Sequence, residues 1–222
     1  MQALILTQQG ADIFYNHSMQ NITRKILYFS VALCTVSQTP TWAAGSEPLV
    51  LAAGAAVDNH FSSHPQTWEQ VIAKLRKRPG YRPSVRKMGL FVTLSKHGET
   101  RACWGNLTNQ YRDDLEAVVY TTELALTKEY RHPPIKSSEL VDIKPQVTLI
   151  EAIEPITGKG RATGSLQPMV DGLMARSQGK SGILLPGEAK DPYFQVMQCK
   201  LKAGIKPSEP CQLYRIKAHV IR

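Results

Sequence analysis

The sequence predicts an α+β fold with a mainly antiparallel sheet. Three observations carry that expectation. Short apolar runs come in pairs around a residue-glycine turn, the pattern of hairpins. Separate, longer segments repeat their apolar residues at helical spacing. Hairpins and helices alternate without the regular strand–helix–strand spacing of a parallel sheet. With 222 residues, 42% hydrophobic and 20% charged, the chain is large enough for a stable core without metals or a dense disulfide framework. No internal repeat is visible.

The N-terminus reads as an address. Arg24 and Lys25 precede an apolar run from Ile26 to Val36, and Ala43, Ala44 and Gly45 follow. A positive stretch, a short apolar run and a small-residue exit are the parts of a secretory signal. Residues 1–44 are therefore expected to be a signal peptide, with Met19 as the start, and the chain to be exported, periplasmic or secreted. No later stretch is long and apolar enough to span a bilayer. Residues 45–64 are expected to be a linker with a short Ala-rich helix over 49–57, and residues 65–222 to be the domain.

Within the domain, Pro65 is expected to open a helix whose body runs from Trp68 to Arg78, with Trp68, Val71, Ile72 and Leu75 on one face. Leu90 to Leu94 reads as a strand, His97-Gly98 as a turn, and Glu99 to Trp104 as the return strand. Tyr111 to Lys128 reads as a long helix, with Asp113, Asp114 and Glu116 suiting its positive end. Val141 to Ile153 is a strand. Gly172–Ala175 and Gly182–Leu185 form a second hairpin around Gln178-Gly179-Lys180. Tyr193 to Ala203 is a helix stopped by Gly204, and Gln212 to Ile221 is the last strand.

Charge restricts partners. The chain carries 27 Lys+Arg against 18 Asp+Glu, a net +9, which attracts nucleic acid, anionic lipid and acidic polymers alike. No basic run interleaved with aromatics is present, so nucleic acid is not an expected partner. Gly158-Lys159-Gly160-Arg161 with Gly164 lacks the following helix of a phosphate loop and reads as a hairpin loop. His60 and His64 have helical spacing but no third ligand, so no metal site is expected.

Residues 89–107, GLFVTLSKHGETRACWGNL, resemble the hallmark of the AMMECR domain family, whose prokaryotic relatives are called AmmeMemoRadiSam system protein A. Phe91–Leu94 match its "FVTL" strand and Gly98 its turn. Arg101, Cys103 and Gly105 match its "LRGCIG", from which Thr100, Ala102 and Trp104 depart. Further matches follow in order. Glu129–Pro134 resembles its "D-x-R-F-P-P", Asp171-Gly172-Leu173 and Gly182–Pro186 resemble a later hairpin, and Cys199, Lys202, Ala203 and Gly204 resemble "C-x-K-A-G". The likeness spans roughly residues 65–220. It implies a larger and a smaller subdomain and an association with Memo-like and radical SAM proteins. It implies no reaction and no cofactor.

The candidate chemistry lies at Cys103. On a regular strand, Glu99, Arg101 and Cys103 share a face, and a guanidinium beside a thiol favours the nucleophilic thiolate. Arg101, Gly105, Asn106, Arg131 and Asp171 are the expected binding residues beside it. Cys199 and Cys211, close in sequence, are a candidate disulfide. Two readings remain open. One is a module that binds an unknown small molecule or protein at this cleft. The other is a thiol-dependent enzyme with Cys103 as nucleophile, for which no general base is evident.

Overall fold

A computed structural model of the chain describes residues 47–222 other than 83 and 158–163. The expected signal peptide and the centre of the basic glycine loop lie outside the described residues.

The first helix, α1 (Pro48–His60), begins on a proline, whose missing N–H costs nothing at that position. Leu49, Val50, Ala52, Ala53, Ala56 and Val57 are buried. Its alanines let it sit close to its neighbours, so most of the segment expected as a linker belongs to the core. The second helix, α2 (Trp68–Arg76), starts later than Pro65 suggests. Thr67 and Gln70 form a reciprocal capping box, with the Thr67 amide donating to Gln70 Oε1 at 3.0 Å and the Gln70 amide donating to Thr67 Oγ1 at 3.4 Å.

Strands β1 (Leu90–Lys96) and β2 (Glu99–Gly105) follow as a hairpin. Its turn residues His97 and Gly98 have φ of 51° and 87°, the paired left-handed conformations of a type I′ turn. Helix α3 (Asp114–Lys128) is capped by Asp113, which accepts the Glu116 amide at 2.9 Å. That cap sets its start, while the Tyr111 amide donates to Asn109 Oδ1 instead. Then come β3 (Ile143–Pro155), β4 (Asp171–Ser177), β5 (Lys180–Leu184), α4 (Pro192–Lys202) and β6 (Gln212–Ile221).

The strands form one curled, fully antiparallel sheet in the order β2-β1-β3-β6-β4-β5. The α+β expectation is thus met. Helices α1, α2 and α3 pack with the β1–β3 half into the larger core, which includes Val92, Leu94, Val118 and Val147. A smaller core gathers Leu173, Ala175, Leu184, Cys199 and Ile205 under α4. A third cluster, around Ile150, Met174, Leu185 and Ile216, has Phe91 and Cys103 packed against it and so joins the two halves. At Gly182 a Cβ would lie 2.5 Å from the Cys199 carbonyl oxygen, so only glycine lets α4 approach β5 so closely. Among the described residues no helix is long and apolar enough to cross a membrane.

Candidate functional site

The sheet register decides which side chains meet. Leu94 pairs with Ala102, but Ser95 pairs with Thr100, leaving Arg101 as the extra residue of a β-bulge. Past the bulge the alternation is reset. Cys103 lies opposite Thr93 and Thr100 opposite Ser95, and these four line a common cleft.

Arg101 turns elsewhere. Its Nε and Nη2 donate to the two Glu139 carboxylate oxygens, each at 3.1 Å, and Nη2 also reaches the Pro133 carbonyl at 3.3 Å. The Arg101 bonds, with further bonds from the Lys136 amide and Lys96, hold the Glu139 carboxyl down to about 2. The expected face shared by Glu99, Arg101 and Cys103 is therefore broken by the bulge.

The guanidinium near the thiol is Arg131. Its Nη2 donates to the Cys103 carbonyl at 3.0 Å and to Glu129 Oε2 at 2.5 Å. The Cys103 amide in turn donates to Glu129 Oε2 at 3.1 Å. Strand β2 is an edge of the sheet, so its outward N–H and C=O would otherwise lack strand partners. The Glu129–Arg131 pair supplies an acceptor and a donor at Cys103, as a neighbouring strand would. Burial opposes ionisation of Glu129. The bonds from Arg131 and from the Cys103 amide outweigh that and take its carboxyl down to about 2.

The cleft measures about 910 Å³, within the range of small-molecule sites. One side is sheet surface, with Thr93, Ser95, Thr100, Cys103, Lys144 and Gln146. The other side is the β5–α4 connection and α4, with Leu185, Pro186, Glu188, Phe194, Gln198 and Lys202. Phe194, Gln198 and Lys202 recur every fourth residue and so share a helix face. Lys202 Nζ is 3.1 Å from Glu188 Oε2. Arg222 also lines the cleft and donates from Nε to Gln146 Oε1 at 2.9 Å.

The thiol environment does not favour thiolate. Burial pushes the Cys103 thiol up. The Thr93 hydroxyl, 3.4 Å from the sulfur, pulls it down, Glu188 pushes it up, and Arg131 and Lys202 pull it down. Burial wins, so the group is held as a thiol at neutral pH.

Of the residues expected from sequence, Cys103 and Arg131 line the cleft, whereas Arg101, Gly105, Asn106 and Asp171 do not. Gly105 serves packing, since a Cβ there would lie 2.4 Å from the Phe91 ring and from the Leu90 carbonyl. Asn106 is exposed, and its amide donates to the Leu90 carbonyl at 3.1 Å. Asp171 is buried; its Oδ2 accepts the Gln167 amide at 2.8 Å and lies 3.5 Å from Arg215 Nε. Cys199 and Cys211 are free thiols. Cys199 donates to the Gly182 and Leu173 carbonyls at 3.1 and 3.3 Å, and burial lifts it to about 11. Among the described residues no three His, Cys, Asp or Glu side chains cluster as metal ligands would.

Sequence reasoning passed over Lys144, Gln146, Glu188, Phe194, Gln198, Lys202 and Arg222 as cleft residues. Only the spacing on α4 offered a signal, because the others come from elements whose convergence depends on the curl of the sheet.

Comparison with known proteins follows the same elements. A family model described as AMMECR1 matches residues 50–221. A protein of Methanothermobacter thermautotrophicus is 30% identical over 145 residues, which cover 60% of this chain and 74% of the relative. A protein of Thermococcus onnurineus is 31% identical over 149 residues, 60% of this chain and 72% of the relative. The crystal structure of an uncharacterized protein from Pyrococcus horikoshii superposes with a TM-score of 0.62 at 23% identity, covering 79% of this chain and 89% of that one. At that identity the likeness is one of fold.

Proposed function

The chain belongs to the AMMECR1 family, and we propose that it is a ligand-binding module whose site is the cleft beside Cys103. The observation that supports this reading is the cleft itself. It has about 910 Å³ of space between a polar sheet face and a helix face bearing Phe194, and although His132 also lines it, among the described residues the thiol is hydrogen-bonded to the Thr93 hydroxyl and to no general base. Such a mix of apolar body and a few placed polar groups is what small-molecule sites present. The alternative of a thiol-dependent enzyme asks for an activated sulfur, and burial of Cys103 works against one.

The test is a small-molecule screen by thermal shift, repeated on Phe194→Ala and Gln198→Ala. Phe194 is half exposed, so its truncation is expected to leave folding intact and to weaken any hit at least ten-fold. Hits that bind both variants as tightly as the parent would place the ligand elsewhere and end this reading.

We further propose that the chain is exported, on the support of Arg24, Lys25, the apolar run Ile26–Val36 and the small residues at 43–45. On this reading the chain is separated from cytosolic Memo-like or radical SAM partners. Fractionation and N-terminal sequencing check it, with cleavage near Ala43 or Gly45 expected and an intact cytoplasmic chain counting against it.

A further inference from the structure

The end of α2 and the residues after it carry a charge density found nowhere else in the chain. Lys74, Arg76, Lys77, Arg78, Arg82, Arg86 and Lys87 are seven of the fourteen residues from 74 to 87, and no Asp or Glu occurs between Glu69 and Glu99. Most of these cations are turned outward. Lys74, Lys77, Arg78, Arg82 and Lys87 are exposed, and among the described residues none of the five is in an ion pair.

Asp58 shares a small pocket with Lys74 and Arg78 without pairing with either, and the acids at the start of α3 are already engaged. Asp113 holds Arg76 at 2.6 Å, and Glu116 lies 3.8 Å from Arg76 and 3.7 Å from Arg112. Asp114 accepts the Tyr81 hydroxyl at 2.9 Å and the Ser84 amide at 3.2 Å. Asn109 accepts no charge but ties the far side, its Nδ2 donating to the Arg86 carbonyl at 2.9 Å and its amide to the Lys87 carbonyl at 3.2 Å. These bonds fix the segment that carries the cations to the start of α3 and to the connection between β2 and α3. The patch is therefore a built surface and not a stretch of charge on a loose chain.

One further residue separates possible occupants. Val85, between Arg82 and Arg86, is 82% exposed. Leaving an apolar side chain in water among cations stabilises nothing in the monomer. An apolar side chain flanked along the chain by Lys and Arg is what a bilayer interface accepts, with the side chain entering the headgroup boundary and the cations meeting anionic lipid. A nucleic acid would use the cations and leave Val85 idle.

We propose that this patch, Lys74, Lys77, Arg78, Arg82, Val85 and Lys87, is a docking surface for an anionic phospholipid bilayer. It is separate from the cleft, which none of these residues lines.

The test is sedimentation of the full chain with vesicles of phosphatidylcholine alone and of phosphatidylcholine with phosphatidylglycerol. The readout is the increment that phosphatidylglycerol adds, compared between the parent and its variants, so any contribution of the apolar N-terminal run with its Arg24 and Lys25 is common to both. Each cation near an anionic surface adds roughly a five-fold factor to binding. The triple variant Lys77→Glu, Arg78→Glu, Arg82→Glu should therefore lose the increment by about a hundred-fold or more, and added salt should weaken it in the parent. Val85→Ser should weaken it several-fold with no change of charge. The proposal is overturned if the parent shows no increment, or if the triple reversal leaves it intact. It is also overturned if Val85→Ser is without effect and duplex DNA binds with the same dependence on the three cations.

Discussion

The hairpins β1–β2 and β4–β5 share a turn. His97-Gly98 and Gln178-Gly179 both place two successive residues at positive φ, between 47° and 87°, and each returns its strand at an edge of the sheet. What lies against each of these edge strands then differs. At β2 the cover is made of side chains, with Glu129 and Arg131 bonding the Cys103 backbone and Glu139 holding the bulged Arg101. At β5 a helix lies over the strand's face at Gly182, near enough that its backbone would touch a Cβ. A helix cover fills the space over its strand's face. A side-chain cover leaves the strand's face open, and the cleft lies on that face. The turn code sets the pairing, and what lies against each edge strand decides where a site can form.

The largest expected effect breaks the helix cover. Gly182→Ala puts a Cβ within 2.5 Å of the Cys199 carbonyl and 2.6 Å of the Ala203 amide nitrogen. Because both are backbone atoms, α4 must shift, at a cost of about 3 kcal/mol. Urea unfolding reads this directly, and a loss under about 1 kcal/mol would show that α4 is not seated on Gly182 as described.

A smaller effect breaks the side-chain cover. Arg131→Met leaves the Glu129 carboxylate, whose side chain is 5% exposed, without its cation, and should cost about 2 kcal/mol. The same pair predicts a pH dependence. The Glu129 carboxyl is depressed in the fold from its ordinary 4.5 to about 2. Its contribution is therefore complete above about 4.5 and is lost as pH falls through that value towards 2. Glu139 titrates in the same window, so the measurement is a difference. Stability of the parent minus that of Glu129→Gln should shrink steadily from pH 5 to pH 2, and a flat difference would mean that Glu129 is not held as an anion by this pair.

How much of this was legible in the sequence follows from the same contrast. Both X-Gly turns, the strand β6 from Gln212 to Ile221 and the apolar face of α3 are local patterns, and the sequence displays them. The body of α2 begins at Trp68 as its apolar spacing indicates, but Pro65 and Thr67 are rival opening signals two residues apart, and the Thr67–Gln70 capping box wins. The role of Arg101 was misjudged because a bulge adds one residue without leaving a mark in composition, and strand alternation then assigns the wrong face. Cys103 and Arg131 were found through family motifs, while Lys144, Gln146 and Arg222 come together only when the sheet has curled. A site formed between elements is readable only as far as its motifs are contiguous.

The finest comparison is between the two arginines, and it concerns the thiol alone. Arg101 is the cation that the sequence sets beside Cys103, and Arg131 is the one that the fold sets there. Burial holds the Cys103 proton, while Thr93 and Arg131 pull the other way. The alkylation rate of Cys103 by iodoacetamide should accordingly stay low at pH 7 and climb only above the ordinary thiol range near 9. Arg101→Gln should leave that profile unchanged and lower stability only slightly through the lost Glu139 pair. Arg131→Gln and Thr93→Val should each move the profile to higher pH, since each removes one of the interactions that stabilise the thiolate. Cys199 donates its proton within the core and is fully buried, so it should not contribute to the fast phase. If Arg101→Gln moved the profile as far as Arg131→Gln, the bulge would not be what separates Arg101 from the sulfur, and the face expected from simple strand alternation would have to be restored.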